Sequence, residues 1–330
     1  FGKFQLYEKD SFVVLSDFHS AKWVMDKIKN HYMSEYETIF NLGDITDRGH
    51  DSVSMLREYK NLAKQNSDRV VYVPGNHDEF IYGAFRGKDK KTQDLYVTNL
   101  TGNGGKETYN DLLQLRQNNP QEFNELLDWL GEQPIQRIHE YDGKKYALAH
   151  AFFNYDLYKK NPNFSLKDYV NEGGMKAESS ISSVLWYRKN KSKYTISNNL
   201  LPPSDYTMVI GHTPQGLEKS PDSRDLDLGN VKVVCVDGSA NKTRVHNGTV
   251  FNGKEYNLTR KFDGGSGPEY IASYNHVNTA PGSNMRKRSY NGALDNIDNN
   301  PKFALASAAQ YSFLSGDAEF TNKIKTDISN

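Results

Sequence analysis

The sequence predicts an α/β fold, a β-sandwich flanked by helices with a site at the strands' carboxyl ends. Two observations carry the α/β reading. Short apolar runs alternate with helical patterns through the first half of the chain, and Asp, His and Asn residues fall just after those runs. Strands alternating with helices at this spacing form βαβ units and a largely parallel sheet. In such sheets ligands gather beyond the carboxyl ends of the strands.

Phe12 to Ser16 reads as a buried strand, followed by a helix from about Ala21 to Met33. Thr38 to Leu42 is the next strand, then a helix capped by Asp51 and reaching about Asn66. Val70 to Val73 closes the series, stopped by Pro74 and Gly75. From Asp78 to about Gln133 the pattern is helical, with a pair at Tyr109 to Gln117 and Gln121 to Gly131 split by Asn119-Pro120. Strands return at Pro134 to Glu140 and Lys145 to His150, around the turn Asp142-Gly143. Asp205 to Ile210 and Val231 to Val236 add two more, and Thr243 to Lys261 suggests a hairpin about Asn252-Gly253. Between them, Asn154 to Pro203 reads as polar and irregular except for Ile181 to Arg188. A parallel first half is therefore expected to pair with a more antiparallel second half. After Phe262 the composition shifts to Gly, Ser and Asn, with one helix expected from Asn300 to about Leu314.

Composition excludes several classes. The 41 basic and 41 acidic residues cancel, so nothing global argues for nucleic acid or a membrane surface. No run approaches the ~18 apolar residues of a membrane span, and no signal peptide is visible; the expectation is a cytoplasmic protein without a membrane partner. The one cysteine, Cys235, lies in an apolar run and reads as a small buried hydrophobe. The 21 Tyr and 16 Phe supply bulky surface for a core although hydrophobic residues total only 36%.

Five blocks at strand ends carry chemistry: Asp17-Phe18-His19, Gly43-Asp44 with Asp47-Arg48-Gly49, Gly75-Asn76-His77-Asp78, His150, and Gly211-His212-Thr213. The glycines let the backbone turn sharply and approach an ion. Carboxylate, imidazole and amide together suit Mn, Fe or Zn better than a thiolate-seeking metal. Singly, each block has a plain explanation: an Asp after a strand is often a cap or turn residue, and Arg188 beside Trp186 and Tyr187 could be a stacked surface arginine.

Taken together and in order, the blocks resemble the signature of the calcineurin-like metallophosphoesterases, in the branch of the serine/threonine phosphoprotein phosphatases. The resemblance covers roughly the first 260 residues. It implies two divalent cations, with Mn preferred and Fe or Zn as alternatives, sharing Asp44. Asp17, His19 and Asp44 would hold the first; Asp44, Asn76, His150 and His212 the second. It further implies His77 as the acid that protonates the leaving oxygen, Asp47 as its orienting partner, and Arg48, Arg188 and Asn76 as phosphate-binding residues. Two cations ~3.5–4 Å apart can stabilise an in-line attack on phosphorus by a water that they have deprotonated. Relatives that end in GH-x-H carry a further His where this chain has Pro214, which points to phosphomonoesters. Three departures stand out: Ser16 and Ser20 replace glycines, and Phe152 replaces one after His150-Ala151, placing bulk at the rim of the site.

The expected organisation is a catalytic domain at 1–262 and an appendage of unassigned role at 263–330. The expected function is a metal-dependent phosphatase acting on phosphoserine or phosphothreonine in proteins, or on another small phosphoester. The alternatives are a hydrolase of nucleotides or dinucleoside polyphosphates, and a non-catalytic binding protein on the same frame.

Overall fold

Apolar residues occupy both faces of the first strands, which requires a covering layer on each side. The computed structural model describes residues 12–188, 196–213, 228, 231–237, 245–251 and 256–262, and it supplies both layers. The first sheet runs β3-β2-β1-β8-β9, built from β1 (Phe12–Leu15), β2 (Thr38–Asn41), β3 (Val70–Tyr72), β8 (Val245–Phe251) and β9 (Tyr256–Phe262). The second runs β4-β5-β6-β7, from β4 (Gln136–Tyr141), β5 (Lys144–Ala149), β6 (Tyr206–Ile210) and β7 (Lys232–Cys235).

Side chains of β1 alternate strictly. Phe12 and Val14 join Phe40, Leu42, Tyr146, Leu148, Val209 and Val234 in the layer between the sheets. Val13, Leu15 and Ile39 face the helices instead. Each such buried side chain contributes about 1.5–3 kcal/mol, so the two layers together favour the sandwich.

The connections explain the strand directions. α1 (Lys22–Lys27), a π-type turn over Ile28–Tyr32 and α2 (Met33–Glu35) carry the chain from β1 to β2, and α3 (Ser52–Gln65) from β2 to β3, so β1, β2 and β3 are parallel. Four helices follow: α4 (Asn76–Arg86), α5 (Lys90–Leu100), α6 (Lys106–Asn118) and α7 (Pro120–Glu132). Asn119 caps the last of them, accepting from the Glu122 amide at 3.2 Å.

Three expectations need correction. The second sheet is antiparallel only at β4–β5; β5, β6 and β7 are parallel. The cause is that Asn154 to Pro203 is not irregular. It holds α8 (Tyr155–Lys160), α9 (Leu166–Asn171) and α10 (Ser179–Trp186), a crossover that returns β6 parallel to β5. The hairpin β8–β9 joins the first sheet, with β8 antiparallel to β1. Third, Asp51 does not cap α3 with its side chain: it sits at φ 60° with no capping hydrogen bond. The expected appendage, its helix, Pro214 and the Asn252-Gly253 turn lie outside the described residues.

Candidate metal centre

Every strand that bears a site residue delivers it just past its last paired position. β1 is followed by Asp17 and His19, β2 by Asp44, Asp47 and Arg48, β5 by His150 and β6 by His212. β3 leads through Gly75 into α4, whose first two residues are Asn76 and His77. Backbone bonds tie the loops together: Asp17 donates its amide to the Gly43 carbonyl at 3.1 Å, His19 to Asp44 at 3.0 Å, and Gly211 to His150 at 2.7 Å.

The site is also where the backbone is least relaxed. Asp17, His19, Asp44, Asp47, Arg48 and His212 all hold left-handed φ angles, of 55°, 37°, 58°, 72°, 61° and 66°. Such conformations cost non-glycine residues of order 1–3 kcal/mol each, and they persist only where surrounding contacts over-determine them. Gly75 shows how tight those contacts are. A Cβ there would overlap Asp44 Oδ1 and lie 2.7 Å from the His150 ring. Gly75→Ala should therefore displace two candidate ligands and lower metal content together with thermal stability, by about 1–3 kcal/mol from overpacking. Metal analysis and a melting curve check this; normal metal content would mean that the loop yields without moving the ligands.

The tautomers follow from the hydrogen bonds. His19 Nδ1 lies 2.8 Å from the Thr46 carbonyl and His150 Nδ1 2.6 Å from the Leu42 carbonyl, so both Nδ1 atoms carry the hydrogen. Their Nε2 lone pairs then point inward. His150 Nε2 faces Asn76 Oδ1 at 2.9 Å and Asp44 Oδ2 at 3.5 Å; His19 Nε2 faces Asp44 Oδ2 at 3.8 Å. His212 Nδ1 lies 2.9 Å from the same Asn76 oxygen. In this neutral ring Nε2 accepts from Arg188, so His212 Nδ1 carries the hydrogen and donates to Asn76. The lone pairs of His150 and His19, by contrast, are aimed at amide and carboxylate oxygens; acceptors so placed repel one another unless a cation lies among them, so this donor set fits divalent metal ions. One ligand atom from each of Asp17, Asp44 and His150 lies within 4.8 Å of the others, and the same holds for His19, Asp44 and His77.

Charge distribution agrees. Burial, then the neighbouring Asp17 and Asp78 charges, holds the Asp44 carboxyl well above the usual range. Burial, reinforced by neighbouring positive charge, keeps His19, His77 and His212 well below theirs, so all three are neutral near pH 7.

His77 and Asp47 form the expected pair, Nδ1 to Oδ2 at 2.6 Å, with both side chains buried. Burial pushes the Asp47 carboxyl up to about 7, opposed by the Thr108 hydroxyl and by Arg48. On its other side His77 Nε2 meets Arg48 Nη2 at 2.9 Å. Arg188 donates from Nε to His212 Nε2 and from Nη2 to the His212 carbonyl, both at 3.1 Å. Arg48 thus reaches the centre at His77, and Arg188 at His212.

Some of the structure was not anticipated. Asp78, read only as the end of its block, clamps two loops: Oδ2 accepts the Gly75 amide at 2.7 Å, the Asp44 amide at 3.2 Å and the Tyr72 hydroxyl at 2.8 Å. Its place three residues after Gly75, where an acidic side chain can accept the amide at a helix start, was the available signal. Phe152 is not at the rim; it is fully buried, its ring 5.4 Å from that of Tyr187, so its bulk fills core. Cys235 is buried as expected.

Comparison with known proteins places this geometry. The chain is 28% identical over 140 residues to the symmetrical bis(5′-nucleosyl)-tetraphosphatase of Proteus mirabilis, covering 42% of this chain and 43% of that protein. It is 32% identical over 120 residues to the protein of the same name from Salmonella paratyphi A, covering 36% and 34%. It therefore spans less than half the length of these curated relatives. Among solved structures it is similar to a protein serine/threonine phosphatase from Saccharomyces cerevisiae, at 13% identity and a TM-score of 0.46, covering 81% of this chain and 84% of that one. No helix among the described residues is long and apolar enough to cross a membrane. The profile of the calcineurin-like phosphoesterases matches residues 11–238, a span that encloses every site residue from Asp17 to His212, and the chain belongs to that family of metallophosphoesterases.

Proposed function

We propose that the chain hydrolyses a bis(5′-nucleosyl) tetraphosphate or a closely related dinucleoside polyphosphate. The observation that carries the chemistry is the convergence of the His19 and His150 lone pairs with the Asp44 carboxylate and the Asn76 amide oxygen. The substrate class is supported by the names of the curated relatives, at about 30% identity. The phosphoprotein substrate expected from the motif branch has no such support, and the alternative takes its place.

In this reading Asp17, His19 and Asp44 would hold one cation and Asp44, Asn76, His150 and His212 the other; oxygen and imidazole donors without thiolate suit Mn, Fe or Zn, and Mn is the ion expected. When bound, the cations supply Lewis acidity and a nucleophilic water at neutral pH. Arg48 and Arg188 bind phosphoryl oxygens through planar guanidinium groups. Asn76 lies between the two imidazoles, where its amide also meets the phosphoryl group. Asp47 holds Nδ1–H of His77, which leaves Nε2 to carry the proton that the departing phosphate oxygen takes up. Arg48 must release Nε2 for that transfer, and an arriving phosphate gives its guanidinium a stronger partner.

The test is a panel. The protein is stripped with chelator, reloaded with Mn, Zn or Fe, and assayed on a dinucleoside tetraphosphate and on a phosphoserine peptide. At least tenfold higher kcat/KM on the dinucleotide is expected. A faster phosphopeptide overturns the substrate class, and no turnover with any metal overturns the enzymatic reading. Chelation should also lower Tm: metal at 100 times its Kd contributes about 2.7 kcal/mol, or roughly 4–6 °C for a chain of this size.

A further inference from the structure

Two residues beyond His77, Glu79 is fully buried. A buried carboxylate needs donors around it, and Glu79 has them from three separate elements. Oε1 accepts the Tyr96 hydroxyl at 2.7 Å and the Met175 amide at 2.6 Å; Oε2 accepts Trp186 Nε1–H at 2.7 Å. The surroundings leave no slack. A Cβ on Gly174, itself at φ 55°, would overlap the Tyr96 hydroxyl and Glu79 Oε1, and one on Gly83 would overlap the Tyr96 ring.

Trp186 is the last residue of α10 and stands two positions before Arg188. Its ring packs at 5.3 Å from Phe80 and at 6.0 Å, edge-on, from His212. Tyr187 leaves the helix in extended conformation and is buried against Phe152. The segment that aims Arg188 is thus pinned at its start by Glu79, and α4 carries both that pin and His77.

We propose that Glu79 is a positioning residue: through the Trp186 indole it fixes where the Arg188 guanidinium meets the substrate's phosphoryl group. The inference rests on the phosphate-binding role given to Arg188 above. A neutral amide cannot replace the carboxylate, because glutamine has one acceptor oxygen and would turn its NH₂ group toward an amide or indole N–H.

A cycle on the metal-loaded full chain tests this, with kcat/KM on p-nitrophenyl phosphate and the Kd of inorganic phosphate by calorimetry as readouts. Glu79→Gln should weaken both about tenfold with metal content unchanged. Trp186→Phe, which keeps a ring but removes the donor, should do the same and serves if Glu79→Gln does not fold. In an Arg188→Ala background neither substitution should cause a further loss. An additive loss there, or an unchanged phosphate Kd in the single variants, overturns the inference. If the wild type turns over no phosphoester, the proposed function fails while the phosphate-binding cycle still decides the role of Glu79.

Discussion

Replacing Asp44 with Asn is expected to reduce turnover by more than about 10³-fold and to remove most of the bound metal, while making the metal-free protein no less stable. The two effects have one cause. Asp44 Oδ1 accepts the His77 amide at 2.9 Å, and Oδ2 faces His150 and His19. Its charge is buried beside Asp17 and Asp78, which raises its pKa in the folded state. The sign follows by linkage. A carboxyl whose folded pKa lies above its unfolded value binds more protons when folded, so it costs stability as pH rises past ~3.8. At pH 7.5 the metal-free wild type bears that cost, and a pair of cations would offset it. Asn keeps the shape and the hydrogen bond but not the charge. Melting curves with and without chelator should therefore move in opposite senses: the chelated variant melts at or above the chelated wild type, and the metal-loaded variant well below the loaded wild type. A variant that retains full metal content would overturn the shared-ligand assignment.

How much of this was legible in the sequence depends on what kind of constraint each feature obeys. Strand positions in the first half follow from apolar runs such as Phe12 to Leu15, because burial on both faces leaves a continuous signal. The candidate site residues are legible because they occur as short blocks at strand ends, and the structure brings those blocks close together. What one block does to another is not local. The left-handed φ at Asp17, Asp44 and His212 reflects loops pressed together from distant parts of the chain, and nothing in those residue types demands it. The helices α8 and α9 were missed for a different reason. They are only six residues each, too short for apolar periodicity to emerge, although Ser165 and Asp168 form a capping box that could have marked the second. Glu79 carries no motif at all; its partners lie 17, 96 and 107 positions away.

The same distinction separates the fold from the substrate. Ligand geometry is fixed by tautomers that backbone carbonyls select, as Leu42 does for His150 across 108 positions, and it supports metal-dependent phosphoester chemistry whatever leaving group is used. Substrate choice depends on surfaces around the centre rather than on the ligands themselves. That is why the motif branch and the curated relatives could point to different substrates while agreeing on the chemistry.

His77→Asn is the second large effect, and it should separate from the first by leaving metal content intact. Asn at this position keeps the backbone amide that donates to Asp44 and can still offer Asp47 an N–H. What disappears is a group able to carry a proton at Nε2. Loss of a general acid costs about 10²–10⁴-fold, read in kcat rather than KM. The pH profile gives a sharper criterion. His77 must be protonated to act, so kcat/KM should fall as pH rises through its pKa, and that limb should vanish in His77→Asn. Burial, followed by the Arg48 charge, sets this pKa below the usual 6.5 in the free protein. Removing the Arg48 charge removes one of the terms that lower it, so Arg48→Met should shift the alkaline limb to higher pH even as phosphate binding weakens. A limb that stays in place in both variants would assign the proton to another group, and a His77→Asn protein stripped of metal would make His77 a ligand, as its grouping with His19 and Asp44 allows.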